Sequence, residues 1–209
     1  PEKANREEKS ASAPSKDHTI ILFYKYTPIE NPEAFVAWHK QIGPKLLLTV
    51  RVHISNEGIN STLEGLNADI DTYMKLIRGD EAGAEAAARL GIAPQTFANL
   101  KDLQIKTSVG IGDAFPKFKA KVKPEIVALK LARPDGTEED VDPNVITGVH
   151  LKPAELKKWY DEGDDFVIID MRNDYEFKVG HFKNSINAEL KNFRDLPEIL
   201  PKLIEKHPE

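Results

Sequence analysis

Apolar positions fall into a regular pattern from Thr19 onward. The β-branched and aromatic run that follows, Ile-Ile-Leu-Phe-Tyr-Lys-Tyr, is closed by Pro28 and is typical of a buried strand. The spacing then becomes helical, with Asn31 as a capping residue and apolar side chains at every third or fourth position from Phe35. We expect this helix to end at Gly43-Pro44.

The remainder of the first half predicts an α+β domain. Its expected elements are a strand over 46–54, a tight turn at Asn56-Glu57-Gly58, a strand over 59–63, a helix over 68–77, an added helix in the alanine-rich stretch 81–90, and strands over 103–107 and 125–132. The order β-α-β-β-α-β is that of a ferredoxin-like fold, an antiparallel sheet with two helices on one face. This architecture hosts many functions and does not identify one.

Composition divides the chain into four segments. Residues 1–18 are rich in Lys, Glu, Ser, Ala and Pro without an apolar period, which is typical of a disordered tail. Residues 133–147 hold two prolines and five acids and fit a solvated linker. The ferredoxin-like domain therefore occupies 19–132, and a second domain occupies 148–209.

The second domain is predicted to contain a parallel α/β sheet. Its pattern gives a helix over 153–161, a short apolar strand over 166–169, a brief helix capped by Asn173 or Asp174 and ending at Val179, and a helix over 196–206. Helices that alternate with short apolar strands favour parallel pairing. Ligands of such sheets bind beyond the carboxyl ends of strands, where Asp170 falls.

Composition also narrows the class of protein. A hydrophobic content of 40% and a charged content of 30% are those of a soluble globular protein. No stretch approaches the ~20 apolar residues that span a bilayer, so no membrane partner is expected. The net charge of −5 gives no global case for nucleic-acid binding. The amino-terminal segment has no apolar core of the kind that a secretory signal needs, so we expect a cytoplasmic protein. An organelle is the alternative, although Glu2, Glu7 and Glu8 count against a targeting segment.

The first candidate site follows the predicted strand of the second domain. Asp170 and Arg172 are spaced i, i+2, Glu176 lies one turn further on, and His181 follows the Gly180 break. These residues either support catalysis or form a structural network that fixes the turn, and the structural interpretation is favoured because no nucleophile accompanies them. The six histidines of the chain are scattered without ligand spacing, so neither a metal nor a cofactor is expected.

A local run of lysines is the second candidate site. Alternation over 117–123 puts four of them on one strand face, namely Lys117, Lys119, Lys121 and Lys123. Such a face can contact RNA phosphates while the interleaved Phe115 and Phe118 stack on unpaired bases. The alternative is an exposed face that lysine keeps soluble, with the phenylalanines in the core.

The turn after the second predicted strand is the third candidate. Asn56, Glu57, Gly58 and Asn60 are possible substrate contacts, because Gly58 frees the backbone and two amides flank it. The favoured alternative is a plain hairpin turn with Gly58 at positive φ.

Three segments resemble one known family. They are Glu57-Gly58-Ile59-Asn60-Ser61-Thr62, the stretch from Phe115 to Val127, and Asp170-Met-Arg-Asn-Asp-Tyr-Glu with Gly180-His181-Phe182. In this order they resemble the rhodanese-like family whose bacterial members are tRNA uridine 5-hydroxylation proteins, with an acylphosphatase-like domain ahead of the rhodanese domain. The resemblance implies an oxidoreductase that converts the wobble uridine of certain tRNAs to 5-hydroxyuridine through a rhodanese-loop cysteine, with tRNA as partner.

The sequence departs from that pattern because it contains no cysteine. We expect a front portion of the enzyme that is inactive by itself and that self-associates through an incomplete sheet edge. The alternatives are a non-catalytic rhodanese-like binding module, or a thiosulfate sulfurtransferase if the cysteine loop follows residue 209.

Overall fold

The structure, a computed structural model, describes residues 17–129 and 142–206. The chain forms two compact units that divide between Ile126 and Val127. The predicted tail falls almost wholly on residues 1–16, outside the described part, whereas His18 already begins the first strand. Most of the predicted linker also lies outside the described part, and 143–145 form a turn.

Within the described residues, five strands and three helices build the first unit. The strands are β1 (His18–Tyr26), β2 (Thr49–Ser55), β3 (Gly58–Leu66), β4 (Lys106–Gly110) and β5 (Lys119–Val122), and the helices are α1 (Pro32–Lys45), α2 (Asn67–Arg78) and α3 (Glu81–Leu90). The sheet order is β4-β1-β3-β2-β5; β5 alone runs parallel to its neighbour. The first four strands confirm the predicted ferredoxin-like fold, to which β5 is an addition.

The helices cover one face of this sheet. The other, which we call the open face, carries no helix and is contacted by loop residues at Glu64 and Asn60. Along β1, Ile21 and Phe23 are buried, whereas Leu22 and Tyr24 are 40% and 50% exposed. This alternation is typical of a sheet with one covered face. The core between sheet and helices includes Val50, Val52, Ile54, Phe35, Ile42, Ile70 and Ile77.

Helix α1 begins as predicted and ends later. Asn31 Oδ1 accepts a hydrogen bond from Ala34 N at 2.8 Å and so caps the first turn. The predicted end at Gly43-Pro44 is wrong, because the helix continues through both residues. Pro44 lies on the exposed side, where water can bond the carbonyl that loses its helical partner. A Cβ on Gly43 would lie 2.0 Å from the Phe118 ring, so glycine permits close packing there.

The predicted strand over 46–54 begins too early. Leu46 N donates to Ile42 O and Leu48 N donates to Gly43 O, both at 3.0 Å. These residues therefore close the helix, and β2 begins at Thr49. Both leucines are buried in the same core as the strand, which is why their apolar pattern did not separate the two elements.

The predicted strands over 103–107 and 125–132 are displaced as well. β4 starts only at Lys106, β5 forms at Lys119–Val122, residues 125–129 are not a strand, and 130–132 lie outside the described residues. Ile126 is buried there, but its backbone bonds side chains: Ile126 N donates to Glu57 Oε1 at 2.6 Å, and Ile126 O accepts from Asn60 Nδ2 at 3.2 Å. The side chain of Ile126 is therefore buried although the residue belongs to no strand.

A buried histidine links α1 to α2. His39 is 2% exposed, and its Nδ1–H donates to Phe35 O at 2.8 Å. This bond leaves Nε2 unprotonated, so Nε2 accepts from the Tyr73 hydroxyl at 3.0 Å. Burial lowers the pKa of His39 to about 4, because a charged imidazole would lose its hydration.

We expect this histidine to make the fold sensitive to moderate acid. Between pH 6.5 and about 4 the unfolded state binds a proton that the native state does not, so the free energy of unfolding falls as the pH falls. The full slope is about 1.4 kcal/mol per pH unit. Urea unfolding at several pH values should show this slope flattened in His39→Gln and unchanged in His150→Gln, an exposed control. Equal slopes in both variants would contradict the prediction.

The second unit is a smaller α/β arrangement. Its elements are α4 (Pro153–Glu162), β6 (Ile169–Asp170), α5 (Asp174–Val179), β7 (Ile186–Asn187) and α6 (Leu196–Lys206). β6 and β7 are parallel, which confirms the predicted pairing, although only the last residue of the predicted strand 166–169 belongs to β6. Ala188, Leu190 and Leu203 form its buried core. Over 17–129 and 142–206, none of the helices has the length and apolar character that crossing a membrane requires.

Candidate functional site

Basic side chains gather on the open face of the first unit's sheet. Strand register pairs Arg51 of β2 with Lys119 of β5, and His53 with Lys121. Residues paired across a ladder share a face, and Ala120 between the two lysines is buried on the opposite side. The structure therefore brings two of the four predicted lysines together with an arginine and a histidine.

The electrostatics of this patch follow from its composition. Partial burial lowers the pKa of His53, and the positive charges of Lys123, Arg51 and Lys121 lower it further. No ion pair within the described ranges joins Arg51 or Lys121 to a carboxylate. We name Arg51, His53, Lys119 and Lys121 the basic patch.

The other predicted members of this site lie around the basic patch. Lys117 and Lys123 are exposed on either side of β5 and outside the strand. Phe118 packs against the core, as expected if the lysines only keep an exposed face soluble. Phe115 instead lies beneath Arg51, whose Cζ is 5.8 Å from the ring centroid. The two phenylalanines are therefore not equivalent, and neither stands free beside the lysines.

The polar side chains of the predicted turn site form hydrogen bonds with backbone groups. Asn56 Nδ2 donates to Ile29 O at 3.1 Å, and Glu57 and Asn60 hold the backbone N–H and C=O of Ile126. A Cβ on Gly58 would lie 2.2 Å from a backbone carbonyl of β1, so only glycine fits there. This geometry accounts for all four residues as parts of a hairpin and a clamp, and their contact with substrate stays a prediction.

In the second unit, Asp170 and Arg172 form a forked ion pair. Arg172 Nη2 donates to Asp170 Oδ2 at 2.6 Å, and Arg172 Nε donates to Oδ1 at 2.9 Å. The same Nη2 donates to Gly180 O at 2.7 Å, which ties the end of β6 to the end of α5. Hydrogen bonds from Arg172 hold the pKa of the buried Asp170 below its ordinary value, and the charge of His181 adds to this effect.

The remaining two predicted residues bond the backbone of α5 and of its capping residue. Glu176 Oε2 accepts from Asn173 N at 3.2 Å and caps α5. His181 Nδ1–H donates to Phe177 O at 2.9 Å, and its ring stacks on Phe177 with centroids 3.8 Å apart. Arg172, His181 and their neighbours line an open cavity of about 590 Å³ at the carboxyl end of β6. The predicted Asp-Arg pair thus exists, while Glu176 serves as a cap.

We expect Arg172 to stabilise the second unit. Arg172→Ala leaves a carboxylate that is 7% exposed without its forked partner, so the free energy of unfolding should fall by about 1–3 kcal/mol. Arg172→Lys keeps the charge but not the two parallel hydrogen bonds, so its free energy of unfolding should lie between those of the parent and Arg172→Ala. Because the pKa of Asp170 is lowered from 3.8, this contribution is present above that pH and is lost as the pH falls below it. Urea unfolding of both variants at pH 7 and pH 3 tests both statements, and unchanged stability would contradict them.

The sequence analysis did not identify several residues of these sites. Arg51 and His53 stand at alternate positions in the run Thr-Val-Arg-Val-His-Ile-Ser, so period 2 could have identified them as a polar face. Nothing local marked Tyr24 as exposed or Glu64 as buried. Among the described residues, no three His, Asp or Glu side chains are grouped so as to hold a metal ion.

Comparison with known proteins gives matches to both units. The family model described as "UPF0176 acylphosphatase like domain" matches residues 18–126, and the model "Rhodanese-like domain" matches 152–209. These matches confirm the two domain types that the sequence resembles.

Relatives named tRNA uridine(34) hydroxylase align with most of the chain. The protein from Staphylococcus haemolyticus is 39% identical over 182 residues, which is 87% of this chain and 49% of the relative. The protein from Staphylococcus carnosus is 37% identical, over 87% of this chain and 50% of the relative. The chain thus spans about half the length of the curated relatives it matches. Full-length HypF, a solved structure, aligns over 54% of this chain and 12% of its own, with a TM-score of 0.33 and 16% identity, which is too loose to support an argument.

Proposed function

This chain belongs to the family of the UPF0176 acylphosphatase-like domain, and we propose that it is part of an enzyme that 5-hydroxylates the wobble uridine of tRNA with the use of oxygen. The first unit would contact the RNA. The second unit would support a reactive cysteine, a residue type that these 209 residues do not contain. The proposed setting is the cytoplasm.

The observation that carries this proposal is the basic patch on an open sheet face. Its four side chains come from adjacent strands, so their positions are fixed by the ladder and not by mobile loops. The net charge of the chain is −5, yet this face collects positive charge. Such local concentration is the electrostatic footprint of a nucleic-acid site. Lys117 and Lys123 would extend it along the RNA backbone.

For the second unit we propose a supporting part in catalysis. Asp170 and Arg172 would hold the rim of the cavity at the carboxyl end of β6, and His181 would add a polar group there. A thiolate needs backbone N–H groups and nearby positive charge. Arg172 would contribute to that charge from the cavity lining, where its side chain is 47% exposed and is paired with Asp170. Glu176 would act through the cap of α5.

The decisive experiment is removal of the gene that encodes this sequence. Nucleosides of total tRNA are then separated and weighed by mass spectrometry, and 5-hydroxyuridine and its derivatives should disappear from the wobble position. Restoration by the intact gene is the control. Unchanged 5-hydroxyuridine would overturn the proposal. In that case, tRNA binding by the purified chain would favour a binding module. A loss of sulfur transfer from thiosulfate in extracts of the deletion strain would instead favour a sulfurtransferase.

We also propose self-association through the second unit. β6 and β7 are two residues each, and Val167, two residues before β6, is 64% exposed, so this short sheet would accept another strand. Sedimentation of the chain over a range of concentrations tests this. A monomer at all concentrations would contradict it.

A further inference from the structure

Two apolar side chains stand on the open face of the first unit's sheet. Leu22 and Tyr24 lie two residues apart on β1, so they project from the same face, and they are 40% and 50% exposed. β4 pairs with β1 only as far as Leu22, so Tyr24 lies beyond the end of that neighbouring strand. We name Leu22 and Tyr24 the apolar ledge; it belongs to no core cluster.

Two rows of paired residues cross the sheet from this ledge to the lysines. The rows are Leu22–Thr62–Arg51–Lys119 and Tyr24–Asn60–His53–Lys121. Each row begins with an apolar or aromatic side chain and ends with a lysine three strand spacings away, about 14 Å. Apolar and cationic groups therefore lie at opposite ends of the same rows, with Ile126 bonded to Asn60 and Phe115 against Arg51 between them.

One cation flanks the ledge on its other side as well. On β4, Lys106 is the partner of Leu22, and its side chain is exposed. A second copy of this face would bring like charges together, which disfavours it as the occupant. A polyanion that carries flat apolar rings complements the surface in both respects.

An unpaired stretch of RNA has that chemistry. Aromatic side chains stack on unpaired bases with little sequence preference, while cationic side chains follow the phosphates. In a duplex the faces of the bases are hidden, so only phosphates could reach the sheet. We propose that Tyr24, backed by Leu22, stacks on one unpaired base of an RNA whose backbone runs over the basic patch. This inference rests on the proposed function, because it takes RNA as the ligand of the same face.

The test uses the whole chain and two RNAs with the same number of phosphates. One is an unstructured single strand that carries the fluorescent base 2-aminopurine, and the other is a blunt duplex. Tyr24→Ala should weaken binding of the single strand about tenfold and abolish the quenching of 2-aminopurine, while duplex binding changes less than about twofold. Tyr24→Phe keeps the ring and should bind like the parent. Tyr175→Ala removes a tyrosine that is 66% exposed in the second unit and is the matched control.

The possible results distinguish a failure of base stacking by Tyr24 from a failure of RNA binding by the first unit. If the parent chain binds neither RNA at low salt, the RNA-contacting part of the proposed function fails. If it binds both and Tyr24→Ala leaves affinity and quenching unchanged, only the stacking proposal fails. A changed sedimentation of Tyr24→Ala without RNA, at unchanged affinity, would assign the ledge to self-association and also overturn it. Should Tyr24→Ala unfold, Tyr24→Leu keeps apolar bulk without a flat ring and must still lose the quenching.

Discussion

Charge reversal of Lys119 and Lys121 is expected to weaken tRNA binding by about tenfold or more at roughly 0.1 M salt. Both side chains are exposed on β5 and lie beside Arg51 and His53 on β2. Two glutamates there would place negative charge within the basic patch, which would repel phosphates and also neutralise the neighbouring arginine. Fluorescence anisotropy with labelled tRNA measures the change.

The salt dependence of binding separates this effect from general loss of charge. Each lost phosphate contact should reduce the slope of log affinity against log salt by about 0.7–0.9, so the double variant should lose about 1.4–1.8. Lys40→Glu with Lys75→Glu changes the net charge equally on exposed helical positions of the same unit and should leave the slope within error. An equal loss in both double variants would show that total charge, and not this face, governs binding.

The frame of the first unit was predictable because its signals are local. The apolar run of β1 and the cap at Asn31 can be recognised from neighbouring residues, although the run does not show that Leu22 and Tyr24 are exposed. Where the prediction was wrong, burial arises from long-range contacts. Ile126 is buried because side chains of a distant hairpin bond its backbone, and no periodic pattern encodes that arrangement.

The candidate site divides in the same way. The lysines of β5 alternate within a few residues, so the sequence could identify them. Their partners Arg51 and His53 join them only through the parallel pairing of β2 with β5, which depends on the fold of the whole unit. The forked contact of Arg172 with Asp170 was predictable because only Met171 separates them, whereas the bond from Arg172 to Gly180 depends on the course of α5.

Glu64 is a charged residue that is buried, which the sequence pattern did not predict. It is 1% exposed, and acidic side chains are almost never so buried unless they are paired. Its partners are three backbone amides: Oε1 accepts from Ile111 N at 2.9 Å and Gly112 N at 2.7 Å, and Oε2 accepts from Ala114 N at 2.7 Å. One carboxylate therefore fastens the loop after β4 to the sheet.

Replacement of this carboxylate is expected to give a large loss of stability in the first unit. Glu64→Ala leaves three amides without their acceptor and opens a cavity, so the free energy of unfolding should fall by about 3–5 kcal/mol. Glu64→Gln keeps the volume, but its NH₂ group cannot accept the bond from Ala114 N, so about half of that loss is expected. Urea unfolding measures both variants. If Glu64→Gln were as stable as the parent, the side chain would act by filling space and not by accepting hydrogen bonds.

Glu64→Gln should also weaken RNA binding, although it replaces no residue of the basic patch. The loop that Glu64 holds leads directly to Phe115, whose ring lies beneath Arg51. Once the loop is released, Arg51 loses this support and its guanidinium is free to sample more rotamers, which raises the entropic cost of a phosphate contact. At a temperature where Glu64→Gln remains folded, its affinity for tRNA should fall by about two- to fivefold while the salt slope stays unchanged, because no cation has been removed. An unchanged affinity would mean that Arg51 is held by its strand alone.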